Sequence, residues 1–295
     1  MEPSTPLAIT ANHIKTHYIP LFKSRQTFLL ALTGAAGYLC QPAAAANWGR
    51  FAGMAGSLLM SIGGCTVLNM VLDRDIDRKM TRTRLRPLAT GQADARLASL
   101  LGGGLIAAGL LWSLALSALY FAFILAGIGL DLVVYTLWLK RRSAWSIIWG
   151  GLSGGMPLLA GRALATGRVD VTGLLLALAI VCWIPSHNLT LSLSYAQDYL
   201  AAGLPTFHTA YGWTATRLAL GLSSLSTAVL MAVAFARLRY PLPLLAILIA
   251  GSLGLVAMTA RAARRSARPA FLALYKYSSL YMLAVMLLLC LGTWR

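Results

Sequence analysis

Asn69-Met-Val-Leu-Asp73-Arg-Asp75-Ile-Asp77-Arg-Lys79-Met80-Thr-Arg82-Thr-Arg84-Leu-Arg86-Pro87 follows directly on an apolar run over 52–72, and the join between the two decides the fold. The run before it is long enough for a helix to cross a bilayer, which takes about 20 mainly apolar residues. The stretch itself holds three of the chain's eight acidic residues within five positions. Carboxylates beside hydrocarbon cost stability, so the natural reason to keep them is a strongly cationic ligand, and a hard divalent metal with oxygen ligands is the candidate.

Outward from that join the chain stays apolar. Hydrophobic residues make up 58% of its 295 positions and charged residues 11%, with a mean hydropathy of +0.72. This is the composition of an all-α, polytopic membrane protein and excludes an ordinary soluble domain. Reading apolar runs against the bilayer gives about nine spans, near 27–46, 52–72, 97–116, 118–139, 145–165, 173–195, 215–236, 241–260 and 273–292. Residues 1–26 have no apolar core and do not resemble a cleaved signal peptide; they read as a cytoplasmic segment before a single transmembrane domain over 27–295. Cys40, Cys65, Cys182 and Cys290 each stand alone inside an expected span and read as packing residues.

A formal charge of +17 in a soluble protein would suggest nucleic acid, but its distribution argues against that partner. Arg74 to Arg96, Lys140 to Arg142 and Arg261 to Arg268 fall in alternate connections, whereas the others hold few cations. That is the bias of Lys and Arg toward cytoplasmic loops. It places the aspartates on the cytoplasmic face, on the same side as the loop containing Asp198, since four spans separate the two.

Asn69, Asp73 and Asp77 are spaced i, i+4, i+8 and stack on one face if the helix continues. Asp75 points elsewhere. Magnesium is typically held by one or two carboxylates together with substrate phosphate oxygens, and Lys79, Arg82, Arg84 and Arg86 can neutralise phosphate, Arg in bidentate fashion. Acid for a metal beside base for phosphate points to a diphosphate. Asp131, one turn before Tyr135, costs about 2.5–3.5 kcal/mol in lipid on insertion scales; it either pairs with a basic group or lines an acceptor pocket. A transporter would not account for the Asn/Asp/Asp column, and the paired broken helices of that class are not evident.

The string Asn69…Asp73…Asp77 resembles the first aspartate-rich motif of the UbiA superfamily of intramembrane prenyltransferases. With Met80, Arg82-Thr83 and Arg86-Pro87-Leu88 it is most similar to the protohaem IX farnesyltransferases, the haem O synthases. The likeness continues at Tyr135-Thr-Leu-Trp138-Leu-Lys140-Arg141, Asp198-Tyr199…Ala202-Gly203-Leu-Pro205 and Lys276-Tyr-Ser278…Tyr281. Where those enzymes read Pro-Pro-His-Phe-Trp this chain has Pro185-Ser186-His187-Asn188-Leu189, and Thr206 stands where they carry Met. Both departures flank the acceptor side.

The resemblance implies a UbiA-type bundle around a central cavity, in a bacterial, archaeal or mitochondrial inner membrane. It implies Mg2+ held by Asn69, Asp73, Asp77 and Asp198, and farnesyl diphosphate as donor, with Lys140, Arg82 and Arg86 offsetting its charge and Tyr195 and Tyr199 as hydroxyl donors, unless these two are ordinary interfacial tyrosines. The acceptor implied is haem b, with His187 facing it, and a haem A synthase as a following partner. An aromatic or quinone-precursor acceptor is the alternative. Ser194 stands four positions before Asp198, where the second motif of the superfamily often carries another aspartate. His208 reads as a solvated loop residue.

Overall fold

The computed structural model describes residues 14–41 and 47–291. His13 and positions 42–46 of the first expected span lie outside the described residues. A short irregular helical lead-in, Ile14–Phe22, precedes twelve helices, and the described residues contain no strand. We number them α1 (Ser24–Leu39), α2 (Trp48–Leu72), α3 (Arg74–Lys79), α4 (Pro87–Thr90), α5 (Ala95–Leu116), α6 (Ala118–Leu139), α7 (Ser146–Thr166), α8 (Val171–Ser194), α9 (Ala196–Ala201), α10 (Phe207–Arg237), α11 (Leu242–Arg265) and α12 (Arg268–Leu291).

Seven of these, α2, α5, α6, α8, α10, α11 and α12, are long and apolar enough to cross a membrane. The other two expected spans are helices of a different kind. α1 has 16 residues, short for a bilayer, and α7 carries Arg162 and five glycines. These two are packed closely on each other: a Cβ on Gly37 of α1 would lie 2.1 Å from the Leu158 carbonyl oxygen of α7, and one on Gly161 2.1 Å from that of Gly34. Only glycine lets the two backbones cross so closely.

Helix starts are capped by side chains that take the orphan N–H groups of the first turn. Asp94 accepts from Leu97 at 2.7 Å, Asp170 from Gly173 at 2.8 Å, and Thr206 and Thr209 form a reciprocal box. Ser117, extended at φ −173°, breaks the apolar run into α5 and α6. α1, α2, α5, α6 and α7 form one side of the bundle and α8, α10, α11 and α12 the other, joined along α7–α8 and α1–α12. The second half of α6, Gly129–Leu139, is wound as a π-helix, a widening frequent at functional sites.

A small apolar clamp positions the site. Ile76 and Met80, each 4% exposed, pack on Leu204 beside Tyr199. α3 is thereby tied to the α9 segment, so the two acidic stretches meet at one end of the bundle.

Candidate active site

Asp73 N–H donates to the Asn69 carbonyl at 2.9 Å and Asp77 N–H to that of Asp73 at 2.8 Å, so the i, i+4 hydrogen bonds are kept on both sides of the break at Asp73 (φ −93°, ψ 0°) that separates α2 from α3. Asp73 and Asp77 are buried, while Asp75 is exposed and pairs with Arg141 at 2.6 and 2.8 Å. Those Arg141 hydrogen bonds, working against slight burial, hold the Asp75 carboxyl at about 2; an exposed pair of this kind adds about 0–1 kcal/mol.

Each buried carboxylate has a cation of its own. Lys140, from the end of the π-wound segment of α6, bonds Asp73 Oδ2, and its ammonium lies 5.7 Å from the centre of the Tyr135 ring. Arg86 Nη1 reaches both oxygens of Asp77 at 2.8 and 2.9 Å. Asp73 Oδ1 is buried with no hydrogen-bond partner, a costly state for a carboxylate oxygen. Asn69 is held by its amide: Nδ2 donates to Asp131 and Oδ1 accepts from Thr136 at 2.7 Å, leaving that carbonyl one lone pair.

Asp198 approaches from the second segment, its Oδ2 accepting the Arg82 backbone N–H at 3.0 Å. Desolvation opposes ionisation there, but the hydrogen bonds from Arg82 and Thr81 prevail and keep the carboxyl below the usual range. Tyr199 lies within the fields of Lys140 and Asp73, and its burial pushes the phenol up, so it remains a donor. Arg82 itself turns outward: its guanidinium stands over the Tyr195 ring and not on the aspartate column. Lys79 is exposed at the end of α3.

Deeper in the bundle, Asp131 resolves one of its two alternatives. It forms no ion pair among the described residues; its Oδ2 takes neutral donors, the Asn69 amide and the Cys65 thiol at 3.2 Å. Cys65 is thus a hydrogen-bonding group as well as a packing one, and Cys40 likewise touches the Arg162 guanidinium at 3.2 Å. His208, expected in a solvated loop, sits in the first turn of α10 with its ring 4.0 Å from that of Trp213 and Nδ1 buried; the aromatic cover comes from the same helix.

His187 follows Pro185, which removes one backbone N–H inside α8. The Ser223 hydroxyl on α10 repairs the ladder, accepting from Ser186 N–H at 2.9 Å and donating to the Cys182 carbonyl. The imidazole is stacked between Trp183 at 4.5 Å and Tyr275 at 4.4 Å. Ser278 Oγ lies 2.9 Å from the Tyr275 carbonyl and 3.1 Å from His187 Nδ1; with the hydroxyl's single proton on that carbonyl, His187 donates through Nδ1–H. Nε2 then carries the free lone pair and makes no hydrogen bond among the described residues.

Two contributors carry no motif. Lys23, half-buried at the N-cap of α1, adopts a left-handed conformation at φ 42° and ψ 54°. Burial and the charges of Arg86 and Lys140 outweigh Asp73 and Asp77 and bring its amine from 10.5 down to about 8. Arg268, at the start of α12, places its guanidinium on the Tyr195 ring at 5.4 Å.

Among the described residues no three His, Cys, Asp or Glu side chains converge as a ready-made metal cage. That fits a magnesium ion, which needs only one or two carboxylates when substrate phosphates complete its shell. The orphaned Asp73 oxygen has the chemistry such an ion requires.

The sequence model of the UbiA prenyltransferase family matches residues 29–280. The chain is 36% identical over 266 residues to the protoheme IX farnesyltransferase of Pyrobaculum neutrophilum, covering 89% of this chain and 94% of that one. It is 42% identical over 194 residues to that of Thermofilum pendens, covering 66% and 68%. In fold it is similar to a UbiA homolog from Archaeoglobus fulgidus bound to DMAPP and Mg2+, with a TM-score of 0.69 at 18% identity over 93% of this chain and 99% of that one. A digeranylgeranylglyceryl phosphate synthase superposes with a TM-score of 0.79 at 16% identity, over 96% and 99%. The chain belongs to the UbiA prenyltransferase family, as an integral membrane prenyltransferase most similar to the protohaem IX farnesyltransferases.

Proposed function

We propose that this enzyme transfers the farnesyl group of farnesyl diphosphate to a vinyl group of haem b, with Mg2+, giving haem O at the cytoplasmic face. The observation that carries the reading is the pair of buried carboxylates, Asp73 and Asp77, each already held by its own cation at the mouth of an apolar bundle. A diphosphate with its metal exchanges into this array with little change of net charge.

Asp73, Asp77 and Asp198, with the remaining carbonyl lone pair of Asn69, would hold the ion. Bound there, Mg2+ would act as a Lewis acid on the diphosphate oxygens. Lys140 and Arg86 then turn from the carboxylates to the leaving group, Lys23 beside them adds its charge, and Tyr199 donates to the same group, stabilising the charge that develops as the carbon–oxygen bond breaks. Lys79 stays at the exposed margin, where it attracts the anion. The apolar walls keep water from the allylic cation. The vinyl carbon attacks that cation, and water adds to the carbocation so formed on the acceptor, losing its proton to the released diphosphate, to complete the hydroxyethylfarnesyl side chain.

Tyr135 forms the wall beside Lys140, and Asp131 lines the acceptor side one to two turns deeper than Asp73, at the level of Asn69 and Cys65. His187 faces the acceptor with Nε2 free to meet iron, the commonest use of a neutral imidazole in haem proteins. The test is direct: purified protein in lipid nanodiscs receives haem b, farnesyl diphosphate and Mg2+, and the porphyrins are read by mass spectrometry. Haem O with stoichiometric diphosphate supports the reading. Unchanged haem, with diphosphate release and a prenylated product only in a parallel reaction where an aromatic acid replaces haem b, would overturn the acceptor assignment and leave the transfer chemistry standing.

A further inference from the structure

Tyr195 ends α8, and two guanidiniums from distant parts of the chain converge on its ring, Arg82 at 5.6 Å and Arg268 at 5.4 Å from the centroid. Both line one cleft of about 580 Å3, together with Thr81, Ser194, Gln197 and Asp198. Neither forms an ion pair among the described residues. Asp198 takes the backbone N–H of Arg82. Asp198 brings one carboxylate to the cleft; two guanidiniums drawn to one ring exceed it by one charge, and an anion bound across them would relieve their repulsion. Basic residues that serve only topology have no reason to meet, whereas these arrive from the loop after α3 and from the start of α12.

Their height relative to His187 is the second observation. Along α8, Tyr195 lies eight residues beyond His187, about 12 Å at the rise of an α-helix. Along α12, Arg268 lies seven residues before Tyr275, the ring stacked on His187, about 10 Å. Two helices thus give the same offset between an imidazole with an open Nε2 and a pair of guanidiniums. That offset is comparable with the reach from the iron of a porphyrin to the carboxylates of its propionate arms. Guanidinium is the side chain best matched to carboxylate, through paired N–H donors.

We propose that Arg82 and Arg268 form a carboxylate subsite for the acceptor, binding the propionates of a porphyrin whose iron faces His187. Resting on the acceptor reading above, it adds an orientation. The charged edge is held at the bundle's mouth, and the opposite edge, which bears the vinyl groups, is directed into the apolar interior. Arg82 is thereby a specificity-determining residue for the acceptor rather than a ligand of the diphosphate, and an acceptor without carboxylates at that distance loses this anchor.

The test compares haem b with its dimethyl ester, in which both propionates are blocked, by Soret titration of the protein in nanodiscs. The parent is expected to bind haem b about 10- to 100-fold more tightly than the ester, the range for a hydrogen bond to a charged group. Arg268→Gln and Arg82→Gln should each remove much of that preference, and the double variant should bind both ligands with the ester's affinity. Equal affinity of the parent for haem and ester, or equal weakening of both in the double variant, would overturn the subsite while leaving haem as acceptor. A double variant that instead loses affinity for farnesyl thiodiphosphate, with haem binding intact, would assign the arginines to the donor and also refute it. Absence of any Soret change in the parent with either porphyrin would mean that the acceptor reading itself has failed, and this proposal with it.

Discussion

Lys23 offers the sharpest quantitative test, because its charge state depends on whether the site holds an anion. Burial and the neighbouring Arg86 and Lys140 depress its amine from 10.5 to about 8 despite Asp73 and Asp77. At about 1.4 kcal/mol per unit, keeping Lys23 protonated without a bound anion costs about 3–4 kcal/mol. The sign follows from proton counting. Between pH 8 and 10.5 the unfolded chain holds a proton that the folded protein lacks, so stability rises with pH across that window, and the penalty is present in full below it. A bound diphosphate reverses the balance by favouring the ammonium. An alkyl diphosphate has lost its last proton well below pH 8, since phosphate second ionisations lie near about 6, so any proton taken up above pH 8 enters the protein. Titration calorimetry of a prenyl thiodiphosphate at pH 7, 8 and 9, in two buffers of different ionisation enthalpy, reads that uptake. The expected result is uptake approaching one proton at pH 9 and an affinity falling up to about tenfold per pH unit above 8. Lys23→Arg, whose guanidinium does not titrate in this range, should flatten both. An identical pH slope in the parent and in Lys23→Arg would refute the assignment.

Three further outcomes follow. Asp73→Asn and Asp77→Asn should each lower turnover by about 100-fold or more, since what is lost is stabilisation of charge at the leaving group; Asp75→Asn, whose pair with Arg141 is exposed, should change it little, and single-turnover diphosphate release measures all three. Gly37→Val should abolish a monodisperse, folded protein in detergent by size-exclusion chromatography, because its Cβ meets the Leu158 carbonyl at 2.1 Å, whereas Gly221→Ala, which meets nothing within 4 Å, should not. In a cysteine-free background, single cysteines at positions 90 and 210 should be modified by an impermeant reagent from the same, cytoplasmic face; labelling from opposite faces would overturn the proposed orientation.

The architecture was legible wherever a run of apolar residues was long enough to need its backbone satisfied within the segment, which lipid makes obligatory. Seven helices follow from that rule. The apolar runs also found α1 and α7, but not what joins them, since the close crossing through Gly34, Gly37 and Gly161 is a match between two helices that neither run shows alone. The spacing of Asn69, Asp73 and Asp77 was readable because the i, i+4 hydrogen bonds are kept on both sides of the α2–α3 junction. The role of Ile76 was not, because pairing with Leu204 and Tyr199 is a contact across more than a hundred residues.

The same distinction governs the site. A motif shows itself when its members share one element, as the aspartates do, and is silent when its members arrive from different ones. Lys23 lies on the first described segment, Arg86 between α3 and α4, and Lys140 at the end of α6; no spacing rule joins them, and only the mutual depression and support of their charges shows that they form one array. Lys23 also pays a local cost that sequence does not display, since a non-glycine residue at φ 42° is uncommon and is retained where the surroundings impose it. The lowered amine and the orphaned Asp73 oxygen have one remedy on the proposed reading. A diphosphate with its metal would satisfy the unpartnered oxygen and restore the ammonium. On that reading, Lys140 on Asp73 and Arg86 on Asp77 hold the carboxylates in the positions from which they would receive the metal, and the same two cations would serve the phosphates.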